Sequence, residues 1–355
     1  ERSALGLPRT WRPALPAAAE LMAASFGRVL DLGWRRTSYS DITSEAHDAL
    51  VASEPEQPML SHEPETATLV SAENAGDRID GLDRPSPLGA MPVGVEFGTL
   101  VHRILEATDF AAPDIESELA EQVAAAGSRR SLELGDPALA VGGLRAALET
   151  PLGAIVDGIR LRDLNREHRL DELEFELPLA GGDDPTGRLT LGAVSAALRA
   201  HLPPDDPMAR YAARLEDPAL RSSVRGFLTG SIDLVMRLPG PRFAVVDYKT
   251  NWLGPSDEPL TLRHYGPEAL RTEMSRAHYN LQALLYTVAL HRYLRWRMAG
   301  YDAERHLAGV LYLFVRGMAG QATPAIAGSP YGVFAWRAPG ALVEALSVVL
   351  DAGAM

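Results

Sequence analysis

The stretch RGFLTGSIDLVMRLPGPRFAVVDYKT, residues 225–250, decides how the fold is interpreted. Two runs rich in apolar residues, RGFLTGSIDLVMRL and RFAVVDYKT, flank the turn sequence PGP and are typical of β-strands. Asp233 and Asp247 lie seven residues before and seven residues after Gly240. If PGP closes a tight hairpin, the two carboxylates lie opposite each other and share one face of the strands. A cation between them removes the repulsion of the two like charges.

Lys249 follows Asp247 by two residues, so its side chain points to the same face of the strand. It is the only lysine of the chain, because the other 33 basic residues are all arginine. A compact ammonium with an adjustable pKa has a chemistry that a guanidinium lacks. Two carboxylates and a lysine at a sheet edge are typical of metal-assisted phosphodiester hydrolysis. The alternative is an exposed ion pair on a surface hairpin; the unique lysine and the preceding G-S-I-D strand favour catalysis.

Three further elements are candidates for completing such a site. His102 lies at the edge of the apolar face of the helix predicted by GVEFGTLVHRILEATDF, where a structural histidine is the alternative. Glu174 lies on the polar face of the half-buried strand predicted by DELEFELPL, where a solvated strand face is the alternative. Gln282 and Tyr286 are four residues apart and share one face of a predicted helix, where core packing is the alternative.

Composition excludes several classes of protein. The 355 residues include no cysteine, which excludes disulfides, zinc thiolates and iron–sulfur clusters. No run of apolar residues approaches the length of a membrane span, so we expect an intracellular, soluble protein. The net charge of −13 is concentrated in residues 43–92, which hold ten acidic residues and two arginines. The remaining chain is only mildly acidic, so the overall charge does not exclude a nucleic-acid substrate.

Patterning along the chain predicts three parts. Residues 1–36 read as a helical segment, residues 37–92 as an acidic linker or arm rich in Pro, Glu and Ser, and residues 93–355 as a globular α/β domain. HLAGVLYLFVRG predicts a buried strand, YGVFAWR a shorter strand and GALVEALSVVLDAG a closing helix. Other helices are predicted near residues 114–127, 137–149, 189–201, 208–220 and 266–299.

Six segments together resemble the nuclease domains of the RecB family, the helicase–nuclease subunits of bacterial RecBCD complexes. They are FGTLVHRILE, LEFELPL, GFLTGSIDLVMR, VVDYKTNWLG, YNLQALLYTVALHRYLRWRMAGYD and GVLYLFVRGM. The resemblance covers residues 93–355, with TSYSDI at residues 37–42 as an earlier match. It implies the restriction-endonuclease-like PD-(D/E)xK fold, an α/β architecture with a mixed central β-sheet flanked by helices.

The resemblance also implies roles for individual residues. His102, Asp233 and Asp247 match the metal ligands of the family, and Lys249 matches the catalytic lysine of the D-x-K signature. Glu174 matches the acidic residue of the first core strand of the family, with Glu176 as a competing candidate. Gln282 and Tyr286 match the Q-x-x-x-Y motif, which implies support of the site or contact with DNA.

Cofactor and partners follow from the same resemblance. It implies Mg²⁺, with Mn²⁺ as an alternative, and no iron–sulfur cluster, because the cysteines that staple the related AddAB-type nucleases are missing. It implies single-stranded DNA from unwound duplex ends as the substrate, RecC and RecD as partner subunits, RecA as a further partner, and a cytoplasmic, nucleoid-associated location. The chain contains no G-x-x-x-x-G-K-[ST] motif, so we expect the C-terminal part of a longer polypeptide and not a motor.

Three functions are consistent with these patterns. The main hypothesis is a Mg²⁺-dependent deoxyribonuclease that cuts strands unwound by an attached helicase, in the repair and recombination of double-strand breaks. The alternative from another class is a catalytically silent docking module for RecA or partner subunits, and the intact Asp233, Asp247 and Lys249 argue against it. A nuclease acting on RNA or on mobile-element DNA is the third hypothesis.

Overall fold

The hairpin predicted around Gly240 lies in the middle of a mixed β-sheet. The computed structural model describes residues 34–43, 80–128, 135–182, 187, 189–217, 220 and 225–352. Within these residues the main sheet has six strands: β1 Trp34–Thr37, β2 Arg169–Leu179, β3 Arg225–Leu238, β4 Arg242–Lys249, β5 Leu307–Phe314 and β8 Val333–Trp336. A short separate ladder joins β6 Ala325–Ile326 to β7 Ser329–Pro330.

The register of the β3–β4 hairpin confirms the prediction made from the sequence. Leu238 pairs with Arg242 and Leu234 pairs with Val246, so the ladder is symmetric about Gly240. Gly240 has φ +78°, a left-handed conformation that glycine adopts at little cost, which allows the tight turn. The pairing ends at Leu234 and Val246, and Asp233 and Asp247 are the next residues on the two strands.

Strand β3 has different neighbours along its two halves, and this opens the sheet beside Asp233. On one edge β2 runs antiparallel to β3 from Gly226 to Met236. On the other edge β1 pairs in parallel with residues 225–228, and β4 pairs antiparallel from residue 234 onward. Between these two partners, residues 229–233 have no strand beside them on that edge among the described residues. The sheet is therefore split directly before Asp233.

Helices cover both faces of the sheet, and alternate residues of the central strands point into two cores. One core combines β-strand residues such as Val246 and Leu311 with α2 Val95–Ala107, α3 Ile115–Ser128 and α4 Pro137–Glu149. The other combines Val245 and Val310 with α5 Leu191–His201, α6 Pro267–Arg276, α7 Tyr279–Arg297 and α9 Gly340–Ala352. The remaining α-helices within the described residues are the short α1 Tyr39–Thr43 and α8 Ala303–His306. This arrangement confirms the predicted fold, and β5 is the buried strand that the sequence predicted.

Two predicted helices differ from the structure. The long helix predicted at residues 266–299 is two helices, α6 and α7, which are separated at His278. His278 has φ +56°, and its Nδ1 lies 2.8 Å from the hydroxyl of the buried Tyr211, so a tertiary contact accompanies the break. The helix predicted at 208–220 is a 3-10 helix at Ala209–Glu216, where the hydroxyl of Ser195 donates to the Ala212 carbonyl. The helices predicted near 114–127, 137–149 and 189–201 and the closing helix are confirmed.

The predicted division of the chain at residues 36 and 92 stays a prediction. Most of the predicted helical segment and residues 44–79 of the predicted arm lie outside the described residues. The end of that arm, residues 80–92, packs against the domain, with Leu88 and Met91 buried in one of the cores. No helix in the described ranges is long and apolar enough to cross a membrane.

Candidate active site

Helix α2 brings His102 to the split in the sheet. The apolar residues that predicted this helix form its buried face: Phe97, Leu100, Val101, Ile104 and Leu105. His102 lies at the edge of that face, with Nε2 2.9 Å from the Tyr248 carbonyl oxygen of β4. Its Nδ1 lies 3.4 Å from Oδ2 of Asp233 on β3. The packing of α2 on the sheet therefore brings an imidazole to the end of the hairpin ladder.

The Asp233 carboxylate takes the place of a backbone acceptor where the β3–β4 ladder ends. The Tyr248 N–H donates to Asp233 Oδ2 over 2.8 Å. Burial lowers the pKa of His102, but the charge and hydrogen bond of Asp233, with a smaller effect of Asp247, raise that pKa to about 9. Burial raises the pKa of Asp233, yet that pKa lies below its usual value because His102 and the Tyr248 N–H favour the carboxylate. The pair therefore favours the charged form of both groups.

The glutamate of β2 that lies beside His102 and Asp233 is Glu172 and not the predicted Glu174, whose catalytic role stays a prediction. One donor atom from each of His102, Glu172 and Asp233 lies within 4.8 Å of the others. Glu174 and its competitor Glu176 are exposed, and Glu176 pairs with Arg36 at 2.8 Å. All three glutamates alternate with apolar residues, so the pattern of the strand did not distinguish them.

The register between β2 and β3 distinguishes the three glutamates. Leu173 pairs with Ile232 and Glu174 pairs with Ser231, so the residue level with Asp233 is Glu172. Glu172 has φ +48°, an uncommon conformation for a residue with a side chain, and its Oε2 accepts a hydrogen bond of 2.7 Å from the Ser231 hydroxyl. Burial raises the pKa of Glu172, while the Ser231 hydrogen bond opposes that rise. This register depends on contacts between two distant segments, which no local sequence pattern encodes.

Lys249 and Asp247 form the second part of the site. The Lys249 Nζ lies 3.0 Å from Asp247 Oδ2, and both side chains are buried. The Lys249 ammonium also lies 4.0 Å from the ring centroid of Tyr279 and 5.6 Å from that of Tyr312. Of the three predicted metal ligands, the structure therefore groups His102 and Asp233 with Glu172, while Asp247 lies beside the lysine.

Gln282 and Tyr286 lie in the protein interior, and Tyr312 connects Gln282 to the surroundings of Lys249. The Gln282 Nε2 donates to the Tyr286 hydroxyl over 3.2 Å, and the Tyr312 hydroxyl donates to Gln282 Oε1 over 3.0 Å. Both side chains of the Q-x-x-x-Y motif are buried. Of the two roles predicted for them, burial favours support of the site over contact with DNA.

The donor set fits a divalent cation. Carboxylate oxygens are the preferred ligands of Mg²⁺, and an imidazole nitrogen also suits Mn²⁺. Glu172 and Asp233 supply the oxygens and His102 supplies the nitrogen. A cation at this place would have the only lysine of the chain and a further carboxylate as neighbours.

Residues 77–330 match the sequence model of the PD-(D/E)XK nuclease superfamily. The chain belongs to the PD-(D/E)XK nuclease superfamily. The match covers α2 and β2 to β7, and so includes every residue of the site described above. Both the family and the α/β fold predicted from the motifs are thereby confirmed.

Proteins described as RecBCD enzyme subunit RecB are similar to this superfamily member over most of its length. The protein of Mycolicibacterium smegmatis is 45% identical over 346 residues, which are 96% of this chain and 31% of that protein. The protein of Mycobacterium tuberculosis is 48% identical over 335 residues, 92% of this chain and 30% of the relative. The Escherichia coli protein is 32% identical over 321 residues, 87% of this chain and 23% of the relative. The chain thus spans less than a third of the length of these relatives.

Proposed function

We propose that this chain is a metal-dependent deoxyribonuclease that hydrolyses phosphodiester bonds of DNA strands unwound by an attached helicase. The observation that carries the proposal is the convergence of His102, Glu172 and Asp233 with the Asp247–Lys249 pair at the split in the sheet. The superfamily of nucleases to which the chain belongs supports the reaction class. The similarity to RecB proteins supports DNA as the substrate and the repair of double-strand breaks as the setting.

The proposed cofactor is Mg²⁺, with Mn²⁺ as the alternative. His102, Glu172 and Asp233 would hold it, because their donor atoms already lie close together. When bound, such a cation polarises a phosphoryl oxygen and lowers the pKa of water. For coordination, the nitrogen that His102 turns to the cation must be unprotonated, although Asp233 favours the charged imidazole. Asp233 lies 3.4 Å from the His102 ring and would supply a second ligand atom to such a cation.

Lys249 and Asp247 act next to the cation position. The ammonium is a hydrogen-bond donor with three N–H groups, suited to orienting a water molecule or to neutralising charge that develops on the phosphate. Asp247 Oδ2 lies 3.0 Å from the Lys249 Nζ and so fixes the position of this group. Both groups are buried, so their interaction with a bound phosphodiester is stronger than it would be in water.

We further propose that the chain works within a larger assembly in the cytoplasm, at the nucleoid. RecC and RecD are the proposed partner subunits and RecA a further partner, on the strength of the similarity to RecB proteins. The net charge of −13 also favours delivery of the DNA strand by partners over unaided capture. In this proposal the chain is the C-terminal, nuclease part of a longer polypeptide.

The experiment that tests the proposal follows labelled single-stranded DNA incubated with the chain in Mg²⁺. The parent chain is compared with Lys249→Ala and Asp247→Ala, and with RNA of the same sequence as a second substrate. We expect the parent to cut DNA, both substitutions to abolish cutting, and RNA to be cut more slowly.

Each contrary outcome has its own meaning. Cutting that survives both substitutions would remove Lys249 and Asp247 from the reaction. Preferential cutting of RNA would overturn the assignment of substrate. A silent parent chain that stays silent after addition of RecC and RecD would favour the docking module over a nuclease.

A further inference from the structure

We propose that Tyr279 is a positioning residue for Lys249, holding the ammonium group by the face of its ring. This inference rests on the proposed function, in which the Lys249 ammonium acts on the scissile phosphate or on the attacking water. It adds to that function a residue that the D-x-K and Q-x-x-x-Y motifs do not contain.

One carboxylate and two aromatic rings lie around the Lys249 ammonium, and we call these three groups the clamp. Asp247 Oδ2 lies 3.0 Å from Lys249 Nζ, while the Tyr279 ring centroid lies 4.0 Å away and that of Tyr312 5.6 Å away. The rings of Tyr279 and Tyr312 are stacked, with centroids 6.0 Å apart and planes inclined by 23°. A cation is attracted to the face of an aromatic ring, and the attraction is larger where water is displaced, as it is around this buried ammonium.

The Tyr279 ring is held in place from its hydroxyl end. The Asn251 Nδ2 donates to the Tyr279 hydroxyl over 3.2 Å and to Glu273 Oε1 over 2.9 Å. Glu273 in turn is paired with Arg276 at 2.8 Å. Because Asn251 lies two residues after Lys249, the strand that carries the lysine leads directly into the residue that anchors the ring facing it.

Tyr279 lies directly after the break between α6 and α7. His278 adopts a left-handed conformation, with φ +56°, and Tyr279 is the first residue of α7. The residue in the left-handed conformation thus directly precedes the side chain that faces Lys249.

The second ring gives the Q-x-x-x-Y motif a role in the same clamp. Tyr312 donates its hydroxyl to Gln282, and Gln282 donates to Tyr286. Gln282 thus holds the Tyr312 ring through its hydroxyl, as Asn251 holds the Tyr279 ring through its hydroxyl. The clamp surrounds a small ammonium closely, and this explains why the only lysine of an arginine-rich chain stands here.

The experiment takes Tyr279→Phe, which loses the hydroxyl contact with Asn251, as its reference and then varies the electron density of that ring with little change in its shape. The chain is prepared with Tyr279→Phe and then with phenylalanines that carry one, two or three ring fluorines at that position. Fluorine weakens the attraction between ring and cation step by step. We expect kcat for DNA cleavage to fall with each fluorine, by between about 2- and 30-fold over the series, while the affinity for Mg²⁺ and the melting temperature stay constant.

The control is the same series at Tyr293, which lies on the same helix and contacts Trp296, with ring centroids 6.5 Å apart. A kcat that stays level across the series at 279, or that falls equally at 293, would overturn the assignment of Tyr279. Lys249→Ala is measured in parallel. If it cuts DNA at the parental rate, the proposed role of Lys249 fails; if it is inactive and the 279 series is level, only the role of Tyr279 fails.

Discussion

The two parts of the site differ in how far solvent reaches them. The side chains of His102 and Asp233 are 15% and 12% exposed, whereas those of Lys249 and Asp247 are 3% and 2% exposed. The first part, with Glu172, is a half-open cluster of ligand atoms, and the second is a closed clamp around one ammonium. In the proposed function, the more exposed part would receive the metal ion, whereas the closed part holds Lys249 away from solvent.

The strongest test of the closed part is Lys249→Arg. The substitution keeps the charge, but a guanidinium is planar and larger than the ammonium that Asp247 and Tyr279 enclose. We expect DNA cleavage to fall by about 10²- to 10³-fold, as when a catalytic hydrogen-bond donor is lost, while Mg²⁺ affinity changes little. Cleavage assays and calorimetric titration of Mg²⁺ measure the two effects. An arginine variant with the parental rate would show that the clamp is not closed.

Arg316 tests whether the two parts are positioned together. Its buried guanidinium donates from Nε to the Thr250 carbonyl at 2.8 Å, just after Lys249, and from Nη1 and Nη2 to the carbonyls of Leu88, Met91 and Pro92. The last three precede α2, which carries His102.

Replacing that guanidinium with the thioether of Arg316→Met leaves buried carbonyls without donors. We expect the free energy of unfolding to fall by about 3 kcal/mol and the Mg²⁺ affinity to weaken with it. Urea denaturation gives the first quantity and titration well below the melting temperature the second. Exposed Arg271→Met serves as the control, since Arg271 pairs only with its helical neighbour Glu268 in the described residues. Unchanged Mg²⁺ affinity in Arg316→Met would mean that the two parts are positioned independently.

A matched pair of substitutions sharpens the definition of the open part. Glu172→Gln removes a ligand charge beside His102 and Asp233, whereas Glu174→Gln removes a charge from the same strand at an exposed position. We expect the first to weaken Mg²⁺ binding by about 10- to 100-fold and the second to leave it within about twofold. Titration of Mg²⁺ into both variants measures the two affinities. Equal effects, or a larger effect at Glu174, would restore the residue predicted from the sequence.

The pKa values of two histidines, one in the site and one in the core, shift in opposite directions. Asp233 raises the pKa of His102 to about 9, while burial lowers the pKa of His291 in α7 to about 4. Because the unfolded chain protonates at the ordinary pKa of about 6.5, it binds more protons at His291 than the folded chain does below that pH. Stability from His291 is therefore present above pH 6.5 and is lost as the pH falls toward 4.

The measurement is urea denaturation of the parent and of His291→Gln at pH 6.5 and pH 5. We expect the parent to lose about 1.5 kcal/mol more stability than the variant over this interval. The opposite shift of His102 adds little to the difference, because His102 is present in both proteins. Parallel losses in the two proteins would show that His291 does not remain neutral in the fold.

Local sequence pattern determined much of the fold. The symmetry of Asp233 and Asp247 about Gly240 predicted the hairpin register, because a tight turn leaves one pairing for the flanking strands. The spacing of apolar residues predicted α2, and the two-residue period placed Lys249 on the face of Asp247. These are relations between residues near in sequence, for which backbone geometry alone is decisive.

Relations between distant segments were decided only by the tertiary structure. Glu172, Glu174 and Glu176 are equivalent in pattern, and the pairing of β2 with β3 alone places Glu172 beside Asp233. Likewise the break at His278, directly before the ring that contacts Lys249, accompanies a contact with the distant Tyr211. The sequence by itself thus determined the family, the register of the hairpin, and the position of Lys249 on the same strand face as Asp247. Which carboxylate and which ring complete the site depended on strand register and helix packing, because both are set by contacts between segments far apart in the chain.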